Sequence, residues 1–164
     1  NTIVAVPADA AGRAHHGTSH LGTVAAVASI LPAGYAGPPT TAAHIELSPC
    51  GRFAYVANRV GVDVDAGCAN AAEGLVSVVA LAPGTAQHLA LVECVPIGGK
   101  VPRSFCVVPP SAAAAERGVG GWLVVGAQES SLLRCFAIDS ASGRLAPPGP
   151  QPDVPSPAVV ALAA

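Results

Sequence analysis

The sequence has 164 residues, a formal net charge of −2 and only 11% charged residues. A chain of this length can form one domain with its own hydrophobic core. Its near-neutral charge is not typical of proteins that bind nucleic acid or anionic membranes, and no apolar run approaches the roughly 18 residues that span a bilayer. We therefore expect no nucleic-acid partner and no membrane span.

Short apolar segments with a two-residue alternation predict β-strands along the whole chain. The first unit, residues 1–31, has strands at 1–6 and 21–30 around a polar loop. The second, residues 42–97, has four strands, at 44–47, 52–57, 75–81 and 88–96. The third, residues 102–154, has strands at 103–108, 122–127 and 132–138 and a weak one near 145–154. A last strand at 158–162 places residues 157–164 in a further unit.

Four strands in up-and-down order, repeated along the chain, are typical of the blades of a β-propeller. We therefore predict an all-β fold that forms part of a propeller. Propellers contain about four to eight blades, more than this chain supplies, so we interpret it as the carboxy-terminal portion of a longer propeller. The two long loops, at 60–73 and 109–120, are predicted to be surface excursions, and the second can form a helical turn.

Several distinct sequence motifs lie in the turns and at the ends of the predicted strands. They are Leu31-Pro32-x-Gly34-Tyr35-x-Gly37, Ser48-Pro49-x-Gly51 followed by Asn58-Arg59, Gly98-Gly99-Lys100-x-Pro102-Arg103, and Val154-Pro155-Ser156-Pro157. Together they resemble the lactonase family of seven-bladed β-propellers, and the resemblance covers nearly the whole chain outside the two long loops. The chain departs from the family pattern at Cys50, where the turn usually carries Asp, and at the 60–73 loop, which replaces a short link.

The resemblance implies a lactone hydrolase, similar to the 6-phosphogluconolactonases, that acts on a small-molecule lactone without a cofactor. The catalytic set proposed in the family combines a His, two Arg and a Glu at a central cleft. By pattern the second Arg falls on Arg59, while the other three belong to blades that precede Asn1. These missing amino-terminal blades are then the partners of the chain, and the chain alone is expected to be inactive.

Four residues are predicted to contact the substrate: Arg59 as a catalytic residue, and Arg103, His44 and Gln128 as substrate-binding residues. A planar guanidinium suits a phosphate or carboxylate group, and Arg59 follows a mostly apolar strand that can hold it. The alternative for Arg59 is a salt bridge to Asp63 or Asp65. Arg103 and Gln128 have a structural alternative as well, hydrogen bonding between blades.

His44 shares a strand face with Glu46 by the two-residue period. It can act as a base or a hydrogen-bond donor, but a single His at a strand start is more often structural. No metal site is predicted, because His15, His16 and His20 lie in a loop without a fixed scaffold. The five cysteines lack zinc-site spacing and are predicted to be reduced and mostly buried.

Two other functions remain open at this point. One is a propeller that binds a ligand or protein without catalysis, since a fold by itself does not determine activity. The other is the carboxymuconate cyclase branch of the family, which forms a lactone. No secretory signal is visible in the sequence, and a cytoplasmic location is the expectation.

Overall fold

The structure is a computed structural model that describes residues 1–5, 26–62, 71–81, 88–149 and 152–162. Within these ranges the strands are β1 (Thr2–Ala5), β2 (Ala26–Ser29), β3 (Thr40–Leu47), β4 (Phe53–Val60), β5 (Glu73–Leu81), β6 (Leu89–Lys100), β7 (Pro102–Val108), β8 (Val119–Ala127) and β9 (Leu132–Asp139), with a helix α1 (Ala112–Glu116). No helix in the described ranges is long and apolar enough to cross a membrane.

The strands form three antiparallel sheets in chain order. We call them the first blade (β1–β2), the second blade (β3–β6) and the third blade (β7–β9). Neighbouring strands in each sheet are consecutive in sequence, which is the up-and-down order of propeller blades. The predicted all-β class and partial-propeller architecture are confirmed.

The second blade is longer at one end than its sequence pattern indicates. The ladder between β3 and β4 continues to the pair Thr40–Val60, and that between β5 and β6 continues to the pair Glu73–Lys100. Bulges interrupt both ladders before these last pairs. A bulge changes which face the following residues occupy, so polar residues can extend a strand whose apolar alternation has already ended.

The third blade has only three strands among the described residues. The weak strand predicted near 145–154 is reduced to two isolated bridges, Ile138 with Leu145 and Leu132 with Asp153. Prolines cause this difference, because a residue without a backbone N–H cannot donate to a ladder. The segment contains Pro147, Pro148, Pro150 and Pro152.

The strand expected at 158–162 is not present in the described part of the chain. Instead, the segment lies against the third blade, where the backbone N–H of Val160 donates to Ser104 Oγ at 3.2 Å. Gly126 allows this approach, because a Cβ there would lie 3.0–3.2 Å from atoms of Pro157 and Val160. No second strand pairs with the segment in the described ranges, so it lacks the ladder partner that a strand requires.

The hydrophobic core lies between the blades as well as within them. Phe53 and Tyr55, on one face of β4, pack into a cluster shared with Phe105 and Phe136 of the third blade. The opposite face of β4 packs against the first blade through Val56. Because both faces are covered, β4 is buried along nearly its whole length.

Two segments that lead out of a blade, which we call passages, each contain a residue with an unusual backbone conformation. Val101 and Ser156 have φ values of +56° and +44°, and each is followed by proline. A non-glycine residue in this left-handed region costs about 1–2 kcal/mol, so the packing around both passages must hold it in place. The recurrence is independent structural evidence that the second and third blades are repeats.

Candidate functional site

Three of the four predicted site residues lie at the same end of the blades. Arg59 is the penultimate residue of β4, Arg103 is the second residue of β7, and Gln128 directly follows β8. Because neighbouring strands in a blade are antiparallel, the carboxyl end of the second strand lies beside the amino end of the first strand. We call this edge the Arg59 end; it is opposite to the turn between β3 and β4.

Arg59 lies on the face of β4 that points toward the third blade, since it follows Phe53, Tyr55 and Ala57 at two-residue steps. The residue is half-buried, and its Nε is buried without a hydrogen-bond partner among the described residues. Neither of the two ion pairs found among the described residues includes it. Asp63 and Asp65, its predicted alternative partners, lie outside the described residues.

A buried guanidinium N–H without an acceptor destabilises the folded state, because the group has given up its hydrogen bond to water without gaining another. An incoming carboxylate, phosphate or carbonyl oxygen would supply that acceptor. The described residues therefore leave Arg59 with a donor for which they supply no acceptor.

The preceding residue, Asn58, points to the opposite side of the strand and is fully buried. Its Nδ2 donates to Ser77 Oγ at 2.8 Å, and Ser77 Oγ donates to the backbone oxygen of Ile30 at 2.5 Å. This chain of hydrogen bonds joins the second blade to the residue that follows β2. Asn58 therefore helps to fix the strand end that carries Arg59.

Arg103 occupies a bulge in β7 between Pro102 and Ser104, and its side chain is exposed. No ion pair involving Arg103 occurs in the described part of the chain. Its position is set by Pro102, which packs so closely on Gly74 that a Cβ there would lie 2.2 Å from Pro102 Cδ. A bulge at this place turns the Arg103 side chain out of the regular alternation.

Gln128 is half-buried and begins a short 3-10 turn, Gln128–Ser130. Its backbone N–H donates to the oxygen of Val101 at 3.1 Å. Gln128 thus lies beside the passage between blades, where its backbone is used structurally. Its side-chain role in substrate binding stays a prediction.

Lys100 was not among the predicted site residues but lies at the same end. It is the exposed last residue of β6, and its backbone N–H donates to Ser130 Oγ at 2.9 Å. On the other side of the passage, Glu73 accepts the backbone N–H of Gly98 at 2.7 Å. Lys100 stands three residues before Arg103 in the Gly98-Gly99-Lys100-x-Pro102-Arg103 motif, which was the available sequence signal.

His44 is positioned differently from the other three. Its Nε2 lies 3.0 Å from Glu46 Oε1, and its ring packs edge-on against Phe105 with the ring centroids 4.7 Å apart. The other carboxylate oxygen of Glu46 accepts the backbone N–H of Val107 at 2.8 Å. His44 and Glu46 therefore join the second blade to the third. The role of His44 in substrate binding stays a prediction.

The described residues contain no group of three or more His, Cys, Asp or Glu side chains arranged to hold a metal ion. His15, His16 and His20 lie outside the described residues. The four described cysteines are free, and Cys106 is buried as expected, whereas Cys50 is exposed. Burial, with a contribution from the Glu46 charge, raises the pKa of Cys106, and burial raises that of Cys135.

Residues 13–162 match the family model described as "Lactonase, 7-bladed beta-propeller". Among solved structures, the chain is similar to the periplasmic gluconolactonase of Pseudomonas aeruginosa, with a TM-score of 0.65 and 26% identity over 95% of this chain and 40% of the other. A protein from Lactobacillus plantarum is also similar, with a TM-score of 0.57 and 26% identity over 79% of this chain and 31% of the other. No curated protein matches the sequence.

A candidate 6-phosphogluconolactonase from Bacteroides fragilis shares the fold, with a TM-score of 0.54 and 23% identity over 72% of this chain and 27% of its own. This chain thus spans about two fifths, or less, of the length of each of these proteins. The matched residues include all three blades at least in part.

Proposed function

The chain belongs to the lactonase family of seven-bladed β-propellers, and from this premise we propose that the whole protein hydrolyses an anionic sugar-acid lactone of the 6-phosphogluconolactone type. The observation that carries the proposal is Arg59, half-buried at the end of β4, whose Nε has no partner in the described ranges. Lys100 and Arg103 stand at the same end without ion pairs among the described residues.

Hydrolysis of a lactone begins when water attacks the ring carbonyl carbon and a negative charge develops on the carbonyl oxygen. A fixed cation or N–H donor aimed at that oxygen lowers the barrier, because its orientation is already set when the charge appears. We assign this role to Arg59, whose strand is held by the buried Asn58 network. The ring oxygen then leaves as a hydroxyl group after it gains a proton.

The exposed Lys100 and Arg103 suit the other end of the substrate. A phosphate or carboxylate group is recognised by cations at short range, and Arg offers paired N–H donors to it. Both residues are carried by the passage between the second and third blades, which is anchored on Glu73 and Ser130. The proposed substrate therefore has its anionic group toward this passage and its carbonyl toward Arg59.

The base that activates the water is assigned to blades that precede this chain, where the family resemblance places a His and a Glu. Accordingly, we propose that the 164-residue chain by itself is inactive and that further blades are its partners. The compartment is a separate question: the Pseudomonas relative is described as periplasmic, and the cytoplasmic location inferred from the sequence stays a prediction.

The test is a lactonase assay on the whole protein with Arg59→Ala, with Arg59→Lys and with Arg144→Ala as a matched control at the far end of the blades. Arg59→Ala is expected to lower kcat/KM by about 10²–10³-fold, the effect of removing one oxyanion donor. Arg59→Lys should retain part of the activity, and Arg144→Ala should retain nearly all of it.

Unchanged hydrolysis in Arg59→Ala would contradict the catalytic role. Binding of the lactone without hydrolysis by the whole protein would favour the ligand-binding alternative. Formation of a lactone from an unsaturated dicarboxylic acid, measured in the same experiment, would favour the cyclase branch. Hydrolysis by the 164-residue chain alone would contradict the assignment of the base to other blades.

A further inference from the structure

A cavity of about 360 Å³ lies between the second and third blades, at the end opposite Arg59. One side is the turn between β3 and β4, and the other is formed by α1 and the adjoining ends of β8 and β9. Both walls consist of described residues, so the cavity is defined by this chain alone. Its volume falls at the lower end of the range, roughly 300–1,000 Å³, that small-molecule sites occupy.

The walls are mostly apolar and are held together across the blades. Phe53, Ala115 and Ile138 line the cavity from three different elements. Arg52 Nη2 donates to the backbone oxygen of Ser140 at 2.5 Å, which bridges the two walls beside the opening. The 109–120 loop, interpreted from the sequence as a surface excursion, therefore supplies one side of a preformed cavity.

A thiol with two polar neighbours lies on the cavity wall. Cys50 Sγ is 3.3 Å from Ser48 Oγ, and the residue is exposed and free. Ser48 Oγ already accepts the backbone N–H of Phe53 at 3.1 Å, so its own hydrogen is available to donate to Sγ. Arg52 adds a positive charge on the same side.

Cys94 also contacts a serine hydroxyl, with its Sγ 3.4 Å from Ser77 Oγ, but Cys50 is the exposed one of the four described cysteines and is also in contact with Arg52. Burial raises its pKa, but hydrogen bonds from Ser48 and Arg52 and the charge of Arg52 outweigh burial, so the pKa of Cys50 is lowered. Burial raises the pKa of Cys106 and Cys135. Because the thiolate is the reactive form of cysteine, we expect Cys50 to have a larger thiolate fraction near neutral pH than Cys106 or Cys135.

We propose that this cavity is a second small-molecule site, in which Cys50 exchanges with a small disulfide that has an apolar body and a carboxylate group. The Cys50 thiolate attacks one sulfur of the disulfide. A bond forms between Sγ and that sulfur, the original S–S bond breaks, and the other half leaves as a thiolate with the electron pair. Cys50 is thereby oxidised to a mixed disulfide and half of the reagent is reduced.

The class of disulfide follows from the cavity walls. The apolar side chains accept an apolar body, and the Arg52 guanidinium has N–H donors beyond the one given to Ser140, which suit a carboxylate. On the other wall, Asp139 Oδ1 accepts the N–H and O–H of Ser142 and the N–H of Ala141, and the group stays ionised, so the carboxylate of the disulfide is placed toward Arg52 and away from Asp139. The site does not depend on Arg59 or on lactone hydrolysis.

The experiment uses dithiobis(nitrobenzoate), an aromatic disulfide with carboxylates, on the full chain, with release of the coloured thiolate as the readout and peptide mapping to locate the adduct. Cys50 is expected to react about tenfold or more faster than Cys106 and Cys135, and Cys50→Ser should remove the fast phase. Arg52→Gln should slow the reaction several-fold.

A variant that fills the cavity separates the site from a merely exposed thiol. Ala115, in α1, lines the cavity wall, and Ala115→Leu should fill part of the cavity. Ala113 is an exposed residue of the same helix that does not line the cavity, so Ala113→Leu is the matched control. Ala115→Leu should slow the reaction of Cys50 with the aromatic disulfide and leave its reaction with the much smaller iodoacetamide unchanged. Ala113→Leu should change neither rate. Equal slowing of both reagents, no slowing of either, or a fast phase that maps to another cysteine would overturn the proposal.

Discussion

The second and third blades differ at their outer edges and share the same core. In the second blade, β6 has twelve residues and pairs along nearly all of β5. In the third, two isolated bridges replace the outer strand. Nevertheless, both blades contribute large side chains to one buried cluster, to which β6 adds only Ile97 as a fully buried member. The packing is thus held mainly by β4 and β5 of the second blade and by β7, β8 and β9 of the third, whereas β3 adds no member to the cluster. The outer strand β6 contributes one buried side chain and mainly covers a sheet edge.

The most severe test of this difference is loss of a core side chain from an inner strand. Phe136 in β9 has no exposed surface, and Phe136→Ala is expected to reduce the free energy of unfolding by about 3–5 kcal/mol. Val92 packs against the same cluster from β6 but is only half-buried, so Val92→Ala should cost clearly less. Urea unfolding of both variants measures this. Equal losses would mean that the outer strand is as important as the inner ones.

The next largest effect is expected where the third blade meets the second. Gly143 has a φ of +72°, and a Cβ there would lie 2.4 Å from the ring of Phe53. Gly143→Ala should cost about 2–5 kcal/mol, from a left-handed alanine plus overpacking. Gly34 has nearly the same φ, +73°, with nothing within 4 Å, and Gly34→Ala should cost only about 1–2 kcal/mol. Similar unfolding midpoints for the two variants would show that Phe53 moves aside.

A smaller effect is expected from one hydrogen bond in the same contact. Tyr55 is fully buried, and its hydroxyl donates to the backbone oxygen of Gly143 at 3.0 Å. Tyr55→Phe should lower the free energy of unfolding by about 1–3 kcal/mol, because a buried carbonyl loses its partner. Burial raises the pKa of Tyr55, so in an alkaline absorbance titration one of the two tyrosines should ionise only above the normal range. Normal ionisation of both would contradict the buried contact.

The smallest effect concerns the exposed turn that follows β9. Hydrogen bonds from Ser142 lower the pKa of Asp139 below its ordinary value of 3.8. Because the pKa is lower in the folded state than in the unfolded state, the ionised carboxylate stabilises the fold. This stabilisation is fully present above the unfolded pKa and is lost as the pH falls through the folded pKa. Asp139→Asn should therefore be slightly less stable than the natural chain at neutral pH, with the difference vanishing in acid below the folded pKa. Thermal unfolding across pH 2–7 checks this, and a difference that persists in acid would contradict it.

The strands and the general position of Arg59 could be predicted because they depend on local patterns. The alternation in β4 and the polar pair Asn58-Arg59 at its end are visible within ten residues of sequence. In contrast, the orientation of His44 depends on the docking of Phe105 and Val107 from another blade. The weak strand predicted near 145–154 forms only two isolated bridges among the described residues, because the prolines around it prevent a continuous ladder.

The sequence by itself determined the all-β class and the repeated blades, because a two-residue period and turn residues act over short distances. The family was indicated separately, by the resemblance of the motifs at the strand ends. Only the tertiary structure decided that the described residues leave an Arg59 N–H without a partner, that His44 joins two blades, and that the 109–120 loop forms one side of a cavity beside Cys50. The contacts responsible join residues far apart in the chain, such as Arg52 and Ser140, which are separated by 88 positions. No local pattern encodes such a contact, because it forms only when complete blades pack together.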